Sequence, residues 1–138
     1  MKVNLVVLGI VAAVAMTLTG CGEQLDSEGY FVVSGEATWN GDPINDGLVI
    51  FRTTENGRKN VAAAINDGKF EVKIQPGKKS VEITAMREVP GKFSVGASGE
   101  KVPATESFIP KQFNTETEIA VDIAFPDTQE LKFELKSP

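Results

Sequence analysis

From Phe31 onward the apolar residues fall on alternate positions rather than on a helical period, and the chain reads as a succession of short strands. Phe31, Val33 and Ala37 share one parity, with Val32, Ser34, Glu36 and Thr38 on the other, which predicts a strand over Phe31–Thr38. "WNGDPINDG" then turns the chain, Asn40 and Gly41 being residues that tolerate positive φ. "LVIF", Leu48–Phe51, is apolar on both parities and predicts a central strand covered on both faces. Val61–Ile65 and Lys69–Ile74 flank Asn66-Asp67-Gly68, a hairpin turn, and Phe70, Val72 and Ile74 alternate with Glu71 and Lys73. Ser80–Glu88 follows, with Val81, Ile83 and Ala85 inward. Ile119, Val121 and Ile123 alternate with polar or small residues, and Leu131, Phe133 and Leu135 face inward in a closing strand. Seven short strands joined by polar turns predict an all-β chain folded as a β-sandwich. Its expected core holds Phe31, Phe51, Phe70 and Phe133, with Val72, Ile83, Val121 and Phe133 buried and facing one another from different strands.

The rhythm breaks between Val89 and Asn114, where no period is visible. A segment of that length is either functional or a cover tucking Phe93, Phe108 and Phe113 against the strands. The cover is favoured for the segment as a whole, with its second half, Phe108–Asn114, expected to be ordered against the strands. Gly91–Lys101 is expected to be a mobile loop exposing Lys92 and Lys101. Lys92, Phe93 and Lys101 in this segment, together with the sole tryptophan Trp39, are the candidate ligand contacts. For Trp39 a place in the core outweighs a role as a sugar-stacking platform, because it sits at a strand end.

Residues 1–20 have a different pattern. Lys2 precedes an unbroken apolar run, Leu5–Met16, of secretory h-region length and too short to cross a bilayer. The run leads to Leu18-Thr19-Gly20-Cys21, which resembles the lipobox of bacterial lipoproteins. An ordinary signal peptide with an incidental cysteine, or a buried structural thiol, are the competing readings; motif, position and h-region together favour the lipobox. The resemblance implies a signal peptide over 1–20, cleavage before Cys21, a diacylglyceryl group on its sulfur and an acyl chain such as palmitate on its amine. Two or three chains, at roughly 0.8 kcal/mol per buried methylene, make such an anchor effectively permanent. Residues 21–29 then form a polar tether and 30–138 the folded domain. Gly22, rather than aspartate, after the cysteine implies sorting to the outer membrane of the cell envelope.

Charge changes the picture only by exclusion. The net charge is −5, and removing residues 1–20, whose one charged side chain is Lys2, makes it −6. With no basic cluster, nucleic-acid binding and a polybasic lipid patch are not expected. One cysteine cannot staple the fold, so stability rests on the core.

Three further stretches resemble a known family. "VSGEATWNGDPINDGLVIF" (Val33–Phe51) is similar to the opening of carboxypeptidase-regulatory-like domains, where a V-x-G-x-V strand leads to a G-x-P turn. "INDGKFEVKIQPGKKSVEI" (Ile65–Ile83) resembles their D-G-x-F hairpin and P-G-x-Y-x-V strand, with Lys79 at the aromatic position. "FIPKQFNTETEIAVDI" and "LKFEL" resemble the I-P-x-K-Y-N segment and last strand of small lipoproteins carrying this domain, with Gln112 and Phe113 replacing Lys-Tyr. The resemblance implies a transthyretin-like, or more loosely immunoglobulin-like, seven-stranded sandwich acting as an accessory or adhesive module. It leads to the expectation of a non-catalytic module that docks onto an envelope or extracellular protein, the alternative being a carbohydrate-binding module.

Enzymatic relatives need chemistry this chain lacks. Zinc carboxypeptidases and the transthyretin-like hydrolase of purine breakdown both rely on histidine, and there is none. Ser98-Gly99-Glu100-Lys101 has Ser-x-x-Lys spacing, but glycines and Pro103 surround it where that chemistry needs a rigid helix start. The Asn-Asp-Gly stretches lack the alternating oxygens and distal glutamate of a calcium loop and read as turns. No metal and no cofactor is expected.

Overall fold

In the structure, a computed structural model describing residues 24–126 and 130–138, the regular elements are almost entirely strands, as the alternation predicts. Its strands are β1 (Phe31–Trp39), β2 (Asp42–Pro43), β3 (Asp46–Thr53), β4 (Val61–Asn66), β5 (Lys69–Ile74), β6 (Gly77–Val95), β7 (Lys101–Ser107), β8 (Ala120–Ile123) and β9 (Leu131–Leu135). One 3-10 turn, Lys111–Phe113, is the sole helical element among the described residues. No helix among them is long and apolar enough to cross a membrane. Cys21, with the whole 1–20 segment, lies outside the described residues. Among the described residues nine strands replace the seven expected. The additions are the two-residue β2 and, more consequentially, β7.

The strands hydrogen-bond in the order β2-β1-β5-β4-β3-β6-β7, with β8 also on β6 and β9 on β1. Every pairing is antiparallel except β1 with β9, which is parallel from Gly35↔Leu131 to Trp39↔Leu135. The β4–β5 turn forms where expected, Asp67 and Gly68 taking φ of 50° and 78°, as a tight hairpin requires. Beyond the turn the two strands part at once, sharing only Asn66↔Lys69. The sheet therefore curls, its β9-β1-β5 half facing its β4-β3-β6-β8 half. Phe51 of β3, Phe70 of β5 and Phe133 of β9 close that curl, with centroids 5.9 to 6.4 Å apart.

The expected parity holds at Phe31, Val33, Ala37, Val72, Val81, Ile83, Ala85, Phe133 and Leu135, all buried. Burying each large side chain contributes roughly 1.5–3 kcal/mol. Val121 is only half-buried, because β8 lies on the rim of the curl. β3 departs from expectation: Val49 and Phe51 are fully buried, but Leu48 is 39% exposed. Its central position places strands on its two edges and leaves its outer face to solvent.

β1 defines two poles about 30 Å apart, given nine residues at roughly 3.3 Å each. At its Phe31 end sits the segment expected to be tether, which is bound to the sheet from Asp26 onward. The Asp26 carboxylate accepts the Glu28 and Tyr30 amide N–H groups at 2.9 and 2.8 Å and pairs with Lys73 at 2.6 Å. The Lys73 ammonium, then the Tyr30 N–H, hold the Asp26 carboxyl below the usual carboxylate range, and Asp26 raises Lys73 in return. Gln75 Nε2 donates to the Glu28 carbonyl. At the Trp39 end, the Ile44 amide donates to Ala37, Gly47 of β3 pairs with Ala85 of β6, and Phe108 donates to the Ala85 carbonyl.

Candidate docking surface

The segment expected to be an irregular loop is instead a ribbon. β6 does not stop near Glu88 but runs on to Val95, and β7 returns beside it, pairing Met86↔Ser107 at the base and Val95↔Lys101 at the tip. Sequence periodicity hid it because beyond Ala85 there is no core to demand alternation. Pro90 and Gly91 (φ 73°) mark an irregularity between Glu88 and Phe93 where the register shifts, as at a bulge. A tight turn closes the tip. The Gly96 amide donates to the Glu100 carbonyl at 2.7 Å, and the Ser98 amide to the Glu100 carboxylate at 2.9 Å.

Cross-strand partners share a face, so Phe93↔Pro103 and Val95↔Lys101 place these four side chains together. Phe93 is 55% and Val95 80% exposed. The Lys101 ammonium lies 4.0 Å from the Phe93 ring centroid, a cation–π contact that leaves the rest of the ring to solvent. An apolar cluster with a cation at its side thus stands at the end of a ribbon on an acidic chain. Lys92 and Lys101 are exposed, as expected.

Trp39 is elsewhere. It is half-buried at the ribbon's base, where Phe108 and Phe113 meet it edge-to-face at 6.1 and 6.0 Å. Pro103 and Phe108 are five residues apart along the chain, about 16 Å of extended strand, so the four candidate contacts form no single site. The same base holds a cleft of about 440 Å³ lined by Pro43, Asp46, Met86, Arg87, Glu88 and Phe108 among others. Its guanidinium is already engaged: Arg87 bonds Glu106 at 2.8–2.9 Å and lies 5.3 Å from the Phe108 ring centroid.

The cover expected over the whole segment holds only for its second half, since Phe93 stands out on the ribbon instead of being tucked against the strands. Ile109 is buried, and Phe108 and Phe113 pack against the core. Asn114 holds this cover in place. Its buried amide nitrogen faces the carbonyls of Ile109 and Pro110 at 3.3 and 3.1 Å and that of Ile83 at 3.5 Å, while its Oδ1 accepts the Thr115 amide at 2.7 Å. One side chain thereby fastens the 3-10 turn to β6.

Two other sequence features resolve as structure. Ser98 lies in the ribbon turn while Lys101 leans over Phe93, an arrangement without the helix that Ser-x-x-Lys chemistry requires. Asn40 and Gly41 occupy a turn at φ 52° and 88°. Among the described residues no three carboxylate or thiol side chains gather as metal ligands would.

Lys79 went unnoticed as a buried charge. It is 3% exposed because it continues the inward parity of Val81, Ile83 and Ala85 back toward the Phe31 pole. Burial pushes its ammonium below the ordinary lysine range; Arg58 nearby pushes the same way, and Glu55 opposes. The inward parity itself, shared with Val81, Ile83 and Ala85, was the available signal.

No family model matches this chain, and no curated protein matches it. Among solved structures, a 9R-lipoxygenase from Cyanothece PCC8801 is similar over 80% of this chain, with 13% identity and a TM-score of 0.36. The chain spans 17% of that enzyme's length, and a likeness at this TM-score carries no argument about fold or activity.

Proposed function

We propose that this chain is a lipid-anchored module of the bacterial cell envelope that docks, without catalysis, onto a protein partner through the tip of its β6–β7 ribbon. The observation that carries this reading is the placement of two features at opposite poles. The docked Asp26–Tyr30 turn sits at the Phe31 end of β1, and the ribbon leaves from the Trp39 end. With Cys21 acylated, at most about 18 Å of extended chain separates the lipid from Asp26. The domain then rides close to the bilayer, and the ribbon carries Phe93 and Val95 away from it. The two facing halves of the curled sheet, with aromatic rings between them, support a transthyretin-like β-sandwich. Trp39, whose ring is taken up by Phe108 and Phe113, favours protein over glycan as the occupant. Gly22 favours the outer membrane.

Two measurements on the full-length protein in its envelope test this. Intact mass should show a chain beginning at Cys21 with added acyl mass, and Cys21→Ser should leave an unprocessed, unlipidated precursor. A photo-crosslinker replacing Phe93 or Val95 should yield a discrete protein adduct, while one replacing Val32, exposed on β1, should not. Adducts to glycan alone would select the carbohydrate-binding alternative. Equal adducts from all three positions, or none, would refute ribbon docking while leaving the anchor standing.

A further inference from the structure

The ribbon leaves the sheet through a strand with one side uncovered. β6 pairs with β3 only as far as Gly47↔Ala85, and from Met86 onward β7 takes its other side. Backbone groups of an antiparallel strand point alternately to its two sides. The Thr84 carbonyl lies on the β3 side, 2.8 Å from where a Cβ on Gly47 would stand. The Ala85 carbonyl accepts the Phe108 amide at 3.3 Å on the β7 side. By the same alternation the N–H and C=O of Glu88 point back to the β3 side, where no strand meets them among the described residues. Pro90 has no N–H and the register shifts after Glu88, so the open edge is short.

The cleft of about 440 Å³ at the ribbon's base lies along this edge. Its walls come from both faces of the strand. Arg87 and Phe108 stand on one, and Met86, Glu88 and Thr105 on the other, because the partners Arg87↔Glu106 and Glu88↔Thr105 each share a face. A strand added to an edge needs this arrangement, with room on both sides of the backbone for its alternate side chains. The charge of the walls selects the occupant. Arg87 is bonded to Glu106, whereas Asp46 and Glu88 are exposed and have no ion-pair partner among the described residues. Met86, 42% exposed, shares their face and offers an apolar surface to the stem of a long side chain.

We infer that this cleft receives a short extended segment of a partner protein, added as a strand at Glu88 and alternating lysine or arginine with apolar residues. The basic residue opposite Glu88 lays its stem on Met86 and its charge between the Glu88 and Asp46 carboxylates. Its apolar neighbours turn to the other face, toward Phe108. The inference concerns the base of the ribbon and depends on neither the lipid anchor nor docking at the tip.

The test uses the full-length chain and fluorophore-labelled peptides, with binding followed by anisotropy. Val-Lys-Val-Lys-Val should bind about tenfold more tightly than Val-Glu-Val-Glu-Val, since opposite charges attract across a strand pair and like charges repel. Asp46→Lys/Glu88→Lys should invert that preference, and Glu71→Lys on β5 should leave it unchanged. All of these positions are exposed, so the variants should fold. Methylating the lysine backbone nitrogens should abolish binding, because those amides face Glu88. Methylating the central valine nitrogen, which faces away, should be tolerated. Equal affinity of the two peptides, or binding by neither, would refute the inference. A preference that survives in Asp46→Lys/Glu88→Lys would place the peptide elsewhere and overturn the site. Tolerance of the lysine methyl groups, or loss of binding from the valine one, would overturn strand addition. Cross-linking through Phe93 or Val95 is read separately, so failure here leaves the ribbon tip standing.

Discussion

Gly35 of β1 lies directly opposite Phe70 of β5, and the Phe70 ring occupies the space a side chain at Gly35 would need. A Cβ at that position would overlap Phe70 Cζ and stand 2.8 Å from the Leu131 carbonyl oxygen. The glycine of the V-x-G strand is thus a packing requirement. It lets the tip of the ring come close to the β1 backbone, where the ring stacks on Phe133 with an interplanar angle of 15°. Gly35→Ala should destabilise the fold by about 3 kcal/mol or prevent folding, since both ring and carbonyl would have to move. Denaturant unfolding decides this; a loss under about 1 kcal/mol would mean that Phe70 repacks freely.

Asn114 gives a sharper test of the cover. Asn114→Ala removes the donor facing Ile109 and Pro110 and should cost about 1–3 kcal/mol, the penalty for buried carbonyls left unpaired. Asn114→Asp keeps the shape but, when ionised, turns an acceptor toward those carbonyls. It should be the worse substitution at neutral pH and recover on acidification, as the protonated acid regains one donor. Thermal melts of both variants at neutral and acidic pH would show the crossing, and identical pH profiles would dispose of the donor role.

What could be read from the chain beforehand follows from where a core imposes order. Alternation located β1, β5, the first half of β6 and β9 because one face of each is buried and the other wet. Beyond Ala85 the ribbon is exposed on both faces, so Glu88, Pro90, Gly91 and Lys92 obey no period, and strand looked like loop. Leu48 misled in the opposite sense: an apolar residue on the outer face of an antiparallel sheet mimics a strand buried on both sides. The parallel pairing of β9 with β1 is long-range, and no local residue announces it. Trp39 lies apart from Phe93 and Lys101 for the same reason. Trp39 and Phe93 look alike as aromatic residues, but only the topology separates base from tip.

The aromatic trio makes the strand parity quantitative. Phe133 touches Phe70 and Phe51 across the curl, so Phe133→Ala should cost roughly 3–5 kcal/mol. Glu71→Ala and Lys132→Ala, on the opposite parity of β5 and β9, should each stay within about 0.5 kcal/mol. Chemical denaturation of the three variants side by side is the check. Comparable losses at Phe133 and Lys132 would reverse the assigned faces.

Lys79 predicts an unusual pH dependence. Its ammonium titrates lower in the folded chain than the ordinary 10.5, because burial penalises the charge and Arg58 adds repulsion. Between the folded and unfolded values the unfolded chain holds more protons, so its contribution to stability grows as pH rises through that window and levels off above 10.5. Lys73 opposes it. Raised by Asp26, it contributes stability that is fully present below 10.5 and lost at higher pH. The two separate by substitution. Lys79→Met retains the apolar stem and removes the charge, and it should stabilise the domain at neutral pH by about 0.5–1 kcal/mol, the low end of the penalty for burying a polar group, because the ammonium is only partly desolvated. The variant should also lose the rise in stability on the alkaline side, leaving the Lys73 decline exposed. Thermal midpoints measured from pH 7 to above 10.5 would show both effects. A neutral or destabilising Lys79→Met with an unchanged profile would mean that Glu55 compensates the buried charge in full.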